Sequence, residues 1–257
     1  MLKLLIILII ILLFNAGRLP RLGHQLGRRI RKPFRQAKWM WSSFAGTEDE
    51  SLKAEREYGR ECAREFAQQF SGKGSQKNQE LVATVGSKLG NAVGDPRLEF
   101  HFTVLSSDIS NAFALPGGFV FITEPLIDLC ESDANEIAFF LAHEIGHIRR
   151  SHAKDKLTTD IVLNAVMSRL SGAGQMLRQV VSKGYSRDLE LEADLEAVQL
   201  AATAGFDPRS SLRALQRLAR ISPDNTGLAE YFSSHPAFSE RVQELEQHVK
   251  KYKAPIA

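Results

Sequence analysis

The chain has 257 residues, 44% hydrophobic and 25% charged, enough for one core-forming domain once any terminal device is set aside. That composition excludes a disordered tail protein, a collagen and a polytopic membrane protein. The net charge of +3 is unevenly divided: residues 1–38 carry nine Lys or Arg and no acid, so the rest of the chain is acidic and no nucleic-acid partner is expected. Two cysteines, Cys62 and Cys130, cannot build a disulfide framework or a cysteine zinc site and read as small buried apolar residues.

Leu4 to Phe14 is an unbroken apolar run, extended to Met1–Gly17 with only Lys3 and Asn15 interrupting. Seventeen helical residues reach roughly 25 Å at about 1.5 Å each, so residues 1–17 are expected to form a short membrane anchor helix. A cleaved signal peptide fits less well, because no small-x-small site follows the run and the positive charge comes after it. In residues 18–45, Leu19, Leu22, Leu26, Ile30, Phe34, Ala37 and Trp41 recur at three- and four-residue steps between arginines. That is the pattern of a basic amphipathic helix on an anionic lipid surface. The stretch Phe14–Gly23, then Leu26-Gly27-Arg28, resembles the start of the TatA/TatE subunits of the twin-arginine translocase. Asn15 stands where that family carries glycine, and Arg21 where it carries an acid. The resemblance implies a short membrane helix, a hinge and an interfacial helix, and admits membrane-protein partners. Eight basic residues follow the span and one lysine precedes it. The positive-inside bias then places the body on the cytoplasmic side of a bacterial inner membrane, with the periplasmic side as the alternative.

The body, residues 46–257, opens with a helical pattern over Thr47–Phe70 broken by Ser71–Ser75. A second helix is expected over Gln79–Leu89, closed by Gly90. Phe100–Leu105 reads as a strand, and Ala112–Leu115 with Phe119–Ile122 as a hairpin about Pro116-Gly117-Gly118. Everything after Glu124 is helical in pattern except Ser171–Gly174 and Ile221–Ser234. The order defines an α+β class, mainly helical with a small antiparallel sheet.

Ile137–Ile148 is an apolar helical stretch carrying His143-Glu144-x-x-His147, with Asp133 and Glu136 as its N-terminal cap. Residues four apart share a helix face, so both histidines can converge on one metal while Glu144 reaches a water beside it. By residue frequency such a motif arises by chance about 0.01 times in a chain of this kind. A catalytic zinc takes a third protein ligand and keeps one open position. Downstream, Asp188, Glu190 and Asp194 are all candidates, and spacing alone leaves the choice among them open.

His143-Glu144-x-x-His147 followed by Glu190-x-x-Ala193-Asp194 is similar to the gluzincin family that includes HtpX and the CAAX prenyl proteases, metallopeptidase family forty-eight. Asn111–Gly118 before the motif helix, and His235-Pro236 with Arg241 after it, match the same family. The likeness, over roughly residues 50–245, is strongest to a compact branch of outer-membrane-assembly and mitochondrial stress proteases. It implies a zincin-like fold, one Zn2+ per chain held by His143, His147 and Glu190, and Asp194 orienting a zinc histidine. It further implies Glu144 and His235 as catalytic groups. Asn111, Phe113, Ala114, Leu115, Gly118 and Arg241 would bind an extended polypeptide substrate along the hairpin edge. His152 reads as structural, and His24, His101 and His248 receive no role. A zinc metalloendopeptidase is the expected function; a membrane adaptor or holdase, or a translocase-associated component, are the competing readings.

Overall fold

The computed structural model describes residue 39 and residues 46–158, 184–220, 229–236 and 238–252. The expected anchor helix (1–17), all of the basic segment 18–45 except residue 39, and the Ser171–Gly174 break lie outside the described residues. Among the described residues, no helix is long and apolar enough to cross a membrane. The chain divides into two compact units, Met1–Tyr58 and Gly59–Ala257. In the first, Trp39 stacks on Tyr58 at 4.9 Å between ring centroids. The helix α1 (Glu48–Ala67) begins there with a reciprocal capping box: Thr47 N donates to Glu50 Oε2 at 2.9 Å and Glu50 N to Thr47 Oγ1 at 3.3 Å.

In the second unit, a short strand β1 (Gly72–Lys73) leads into α2 (Gln76–Val93), capped by Ser75, whose Oγ accepts from Asn78 N. The expected stop at Gly90 is overrun: the helix ends at Gly94, which takes the left-handed conformation at φ 71°. Then come β2 (His101–Ser106), β3 (Ala112–Leu115) and β4 (Phe119–Thr123), followed by α3 (Glu124–Leu129). The sheet order is β1-β2-β4-β3. The sheet is mixed rather than the expected antiparallel one. β2 and β4 run parallel, with Val104 opposite Ile122, because the chain crosses over after β2 and the hairpin returns β4 between β2 and β3.

Side chains alternate across this sheet with the period of two that pleating imposes. Ala112, Ala114, Val120 and Ile122 join the main core with the motif helix. Phe113 and Phe121 face the other way onto Phe66, each with ring centroids 5.1 Å from it. Both faces of a small sheet are thus covered, which positions β3 at its edge.

The motif helix α4 (Ala134–Arg149) is buried at every position from Glu136 to Ile148. It is surrounded by β3, β4, α2, α5 (Arg187–Thr203) and α6 (Ser210–Ala219). Asp133 caps it as expected, accepting from Asn135 N at 2.7 Å, but Glu136 does not complete a capping box. Its carboxylate instead takes Arg217 Nε of α6 at 3.0 Å, because a buried acid needs a charged partner more than a backbone amide needs a second acceptor. Gly146 lets α4 and α5 approach closely: a Cβ there would meet Ala193 backbone atoms at 3.3 Å. The chain ends in α7 (Ala229–Ser234) and α8 (Phe238–Val249), so the last six residues of the expected non-helical stretch are helical.

The hairpin turn is held by glycine geometry. Gly118 has φ +91°, and an added Cβ would lie 1.9 Å from Glu99 O. Gly118→Ala is therefore expected to destabilise the fold by about 2–4 kcal/mol, strain and overpacking together. Urea unfolding midpoints read the change; an unaltered midpoint would contradict this account of the turn.

Candidate active site

An apolar helix in the middle of the core carries the charged motif, so every polar atom there must find a partner inside the protein. His143, Glu144 and His147 are each 2% exposed or less. His143 Nε2 and His147 Nε2 approach to 3.1 Å, the consequence of four-residue spacing on one helix face. From α5, one turn of helix brings Glu190 and Asp194 to the same side, both fully buried. Glu190 Oε2 lies 3.5 Å from His143 Nε2, and its Oε1 lies 3.4 Å from His147 Nε2. Asp194 Oδ1 lies 2.8 Å from His143 Nδ1. A proton shared there leaves the Nε2 lone pair of His143 facing the cluster.

Just beyond α7, His235 closes the arrangement. Its Nδ1 stands 3.3 Å from His143 Nε2 and 3.2 Å from both Glu190 oxygens, while its Nε2 is 3.6 Å from Glu144 Oε1. Arg241 of α8, 1% exposed, lies beneath all of this. It donates to Asp194 through Nε at 2.6 Å and Nη2 at 2.8 Å, reaches Glu190 Oε2 with Nη1 at 2.9 Å, and donates to the His235 carbonyl at 3.3 Å.

Burial sets the protonation pattern. It pushes Glu144 above the ordinary carboxylate value, with the His235 and His143 charges opposing it. Burial pushes His147 well down. Burial opposes the imidazolium of His143 too, but Asp194 and Glu190 outweigh it and raise that group to about 9. Burial alone would raise Asp194, yet the Arg241 guanidinium holds it below the usual carboxylate range.

This donor set fits a divalent cation. Atoms about 2.0–2.1 Å from a tetrahedral zinc stand about 3.3–3.4 Å from one another. One donor atom each from His143, His147, Glu190 and His235 lie within 4.8 Å of one another, with His143–His147, His143–His235 and the three Glu190 pairs at 3.1–3.5 Å. Charge agrees with distance. Three buried carboxylates, Glu144, Glu190 and Asp194, face one guanidinium, and the excess negative charge that raises His143 is the charge such an ion would offset in place of that proton.

The remaining expected site residues lie around this centre. Asn111, fully buried, donates from Nδ2 to Ser234 Oγ at 3.2 Å and accepts from Ala112 N, tying the start of β3 to the residue before His235. Phe113 packs on Phe66 and Phe70, and Ala114 faces the main core with α4. Leu115, 1% exposed, ends β3 before the turn that holds Gly118. Arg241 has its guanidinium occupied by Asp194, Glu190 and His235 rather than facing an open surface. Of the open candidates, Asp188 is exposed. Two further residues pack on His147: Tyr185, which receives no role in the sequence reading, stacks on its ring at 3.9 Å and 14°, and His152, which reads as structural, has Nδ1 3.1 Å from His147 Nδ1. An aromatic just before the Glu190 helix is the one available signal for the first.

Two histidines four apart on one helix, a carboxylate from a second helix and a buried glutamate beside them make a cluster that can hold a metal ion, the arrangement a metallopeptidase requires. The profile of Peptidase family M48 matches residues 75–249, and the chain belongs to that family of zinc-dependent peptidases. It is 30% identical over 156 residues to the mitochondrial metalloendopeptidase OMA1 of Arabidopsis thaliana, covering 58% of this chain and 32% of the relative. It is 24% identical over 176 residues to the metalloprotease LoiP of Escherichia coli, covering 64% and 68%. It is 28% identical over 193 residues to the beta-barrel assembly-enhancing protease of Yersinia pestis, covering 68% and 39%. The chain thus spans about a third of the length of the plant relative.

Two substitutions separate ligand from support. Glu190→Ala is expected to abolish stoichiometric zinc uptake, measured by metal analysis of the folded protein; full zinc content would move the third ligand elsewhere. Arg241→Met leaves two carboxylates without their cation and is expected to cost about 3–5 kcal/mol in denaturant unfolding. A loss below about 1 kcal/mol would contradict the account of Arg241.

Proposed function

We propose that the chain is a membrane-anchored zinc metalloendopeptidase that cleaves polypeptide substrates in protein quality control. The observation that carries this reading is the convergence of His143, His147, Glu190 and His235 with Glu144 at their side. The names of the relatives, a metalloendopeptidase, a metalloprotease and an assembly-enhancing protease, support it.

Zinc bound by His143, His147 and Glu190 would supply Lewis acidity to a scissile carbonyl and to the attacking water. Glu144, raised by burial, takes the proton of that water on a carboxylate oxygen and passes it to the leaving amine. Asp194 holds the Nδ1 proton of His143 and keeps its Nε2 aimed at the centre. His235 stands as a fourth donor in the described arrangement. With substrate seated, its imidazole is positioned to donate to the developing oxyanion. The outer edge of β3, from Asn111 through Phe113, Ala114 and Leu115 to the Gly118 turn, receives the substrate backbone as an added strand. Arg241 acts by fixing the His235 loop.

The membrane reading rests on the apolar run Leu4–Phe14 and the basic segment after it, including their likeness to TatA/TatE. It places the peptidase unit at the inner membrane of a bacterium, on the cytoplasmic face by the charge bias, where membrane-protein partners are within reach. The likeness to the HtpX and CAAX protease group accords with a membrane setting.

Glu144→Gln is expected to keep zinc and lose casein cleavage by at least 10²–10⁴-fold. Wild-type turnover in that variant would overturn the base assignment. Deleting residues 1–38 is expected to release the protein to the soluble fraction with casein cleavage retained; persistent membrane association would contradict the anchor.

A further inference from the structure

Among the described residues, two polar contacts support the zinc histidines from behind, and they differ in kind. His143 has the Asp194 carboxylate on its Nδ1. His147 has no carboxylate there; its Nδ1 lies 3.1 Å from Nδ1 of His152, a residue only 7% exposed. We infer that His152 is the positioning residue for the second zinc histidine, accepting the Nδ1 proton of His147 and thereby aiming its Nε2 at the metal. The inference rests on the ligand assignment proposed above.

Tautomer logic gives the direction of the bond. His147 Nε2 faces the cluster, 3.1 Å from His143 Nε2 and 3.4 Å from Glu190 Oε1, so its lone pair belongs there and its proton on Nδ1. The atom facing that proton must then offer a lone pair, which puts the proton of His152 on Nε2. That nitrogen points toward Glu192 Oε2 at 3.8 Å, and Glu192 is itself held by Arg150 Nη1 at 3.0 Å. A charged pair on the surface of α4 and α5 therefore sits behind His152, as Arg241 sits behind Asp194.

The backbone is bent to make this contact. α4 ends at Arg149, and Ser151 takes φ +62°, a conformation that a residue with a Cβ rarely adopts. The chain there reverses and restarts as a helix over residues 152–158, with Asp155 N donating to Ser151 O at 2.8 Å. An uninterrupted helix would carry residue 152 about 140° around the axis from His147 rather than back beneath it. Backbone strain held next to a metal ligand points to a functional demand on that turn. Tyr185 completes the cradle, stacked on the His147 ring at 3.9 Å with Lys156 Nζ 3.9 Å over its outer face. The ring of His147 is thus fixed both in its plane and along its Nδ1 axis.

The test uses the full chain, with zinc affinity measured by chelator competition and the melting temperature of the zinc-stripped protein measured alongside. His152→Ala is expected to weaken zinc binding roughly 10- to 100-fold with the stripped protein's melting temperature unchanged. His152→Asn puts an amide oxygen near the position of Nδ1 and is expected to restore most of the affinity. His152→Gln, whose acceptor lies about where Nε2 stood, is expected to restore less. Wild-type affinity in His152→Ala, or equal affinities in the Asn and Gln variants, would overturn the inference. So would a lowered melting temperature of the stripped protein with unchanged affinity. A wild-type protein that takes up no zinc would instead sink the metallopeptidase reading itself.

Discussion

The peptidase unit depends on one electrostatic constraint: at the candidate site three buried carboxylates, Glu144, Glu190 and Asp194, face the single guanidinium of Arg241. Charges are tolerated in such a place only when paired and fully hydrogen-bonded. Arg241 satisfies Asp194 with two donors and still reaches Glu190 and the His235 carbonyl, so one side chain from α8 locks α5 to the loop that carries His235. What remains is a negative field into which imidazole nitrogens converge. A divalent cation completes that combination, and the same burial raises Glu144 above its ordinary value.

The fold exists to bring these groups together at low cost. α4 is apolar on all sides because it is surrounded by the sheet and by three helices, and Gly146 permits the close approach that puts Glu190 and Asp194 of α5 within reach of the α4 histidines. The sheet contributes an edge rather than a platform: β3 lies outermost, and Asn111 links its beginning to Ser234, beside His235. A substrate strand pairing with β3 would therefore load an element bonded to the residue next to the fourth donor.

What could be read from the sequence was what depends on local spacing. Two histidines four apart on an apolar helix announce a metal because the geometry is internal to one element. The hairpin about Pro116-Gly117-Gly118 announces itself because its turn needs glycine at positive φ. The third ligand does not follow from spacing: Asp188 lies on another face of α5, but Glu190 and Asp194 share one, and which of them meets the histidine Nε2 atoms is a tertiary fact, so resemblance supplies the choice. The parallel pairing of β2 with β4 was hidden because strand order is not encoded in either strand. Glu136 was misread as a cap because its true partner, Arg217, lies 81 residues away. His152 reads as merely structural in the sequence because the left-handed turn that delivers it uses serine, which carries no signal for that conformation.

The central claim is that a zinc ion completes the buried cluster, and absorption spectroscopy at the zinc edge on the purified full chain tests it most directly. One zinc per chain, surrounded only by nitrogen and oxygen at about 2.0–2.2 Å with the scattering pattern of imidazole, is the predicted result. The pattern should weaken in a His147→Ala variant. A folded protein that binds no zinc, or a spectrum dominated by sulfur near 2.3 Å, would contradict the account.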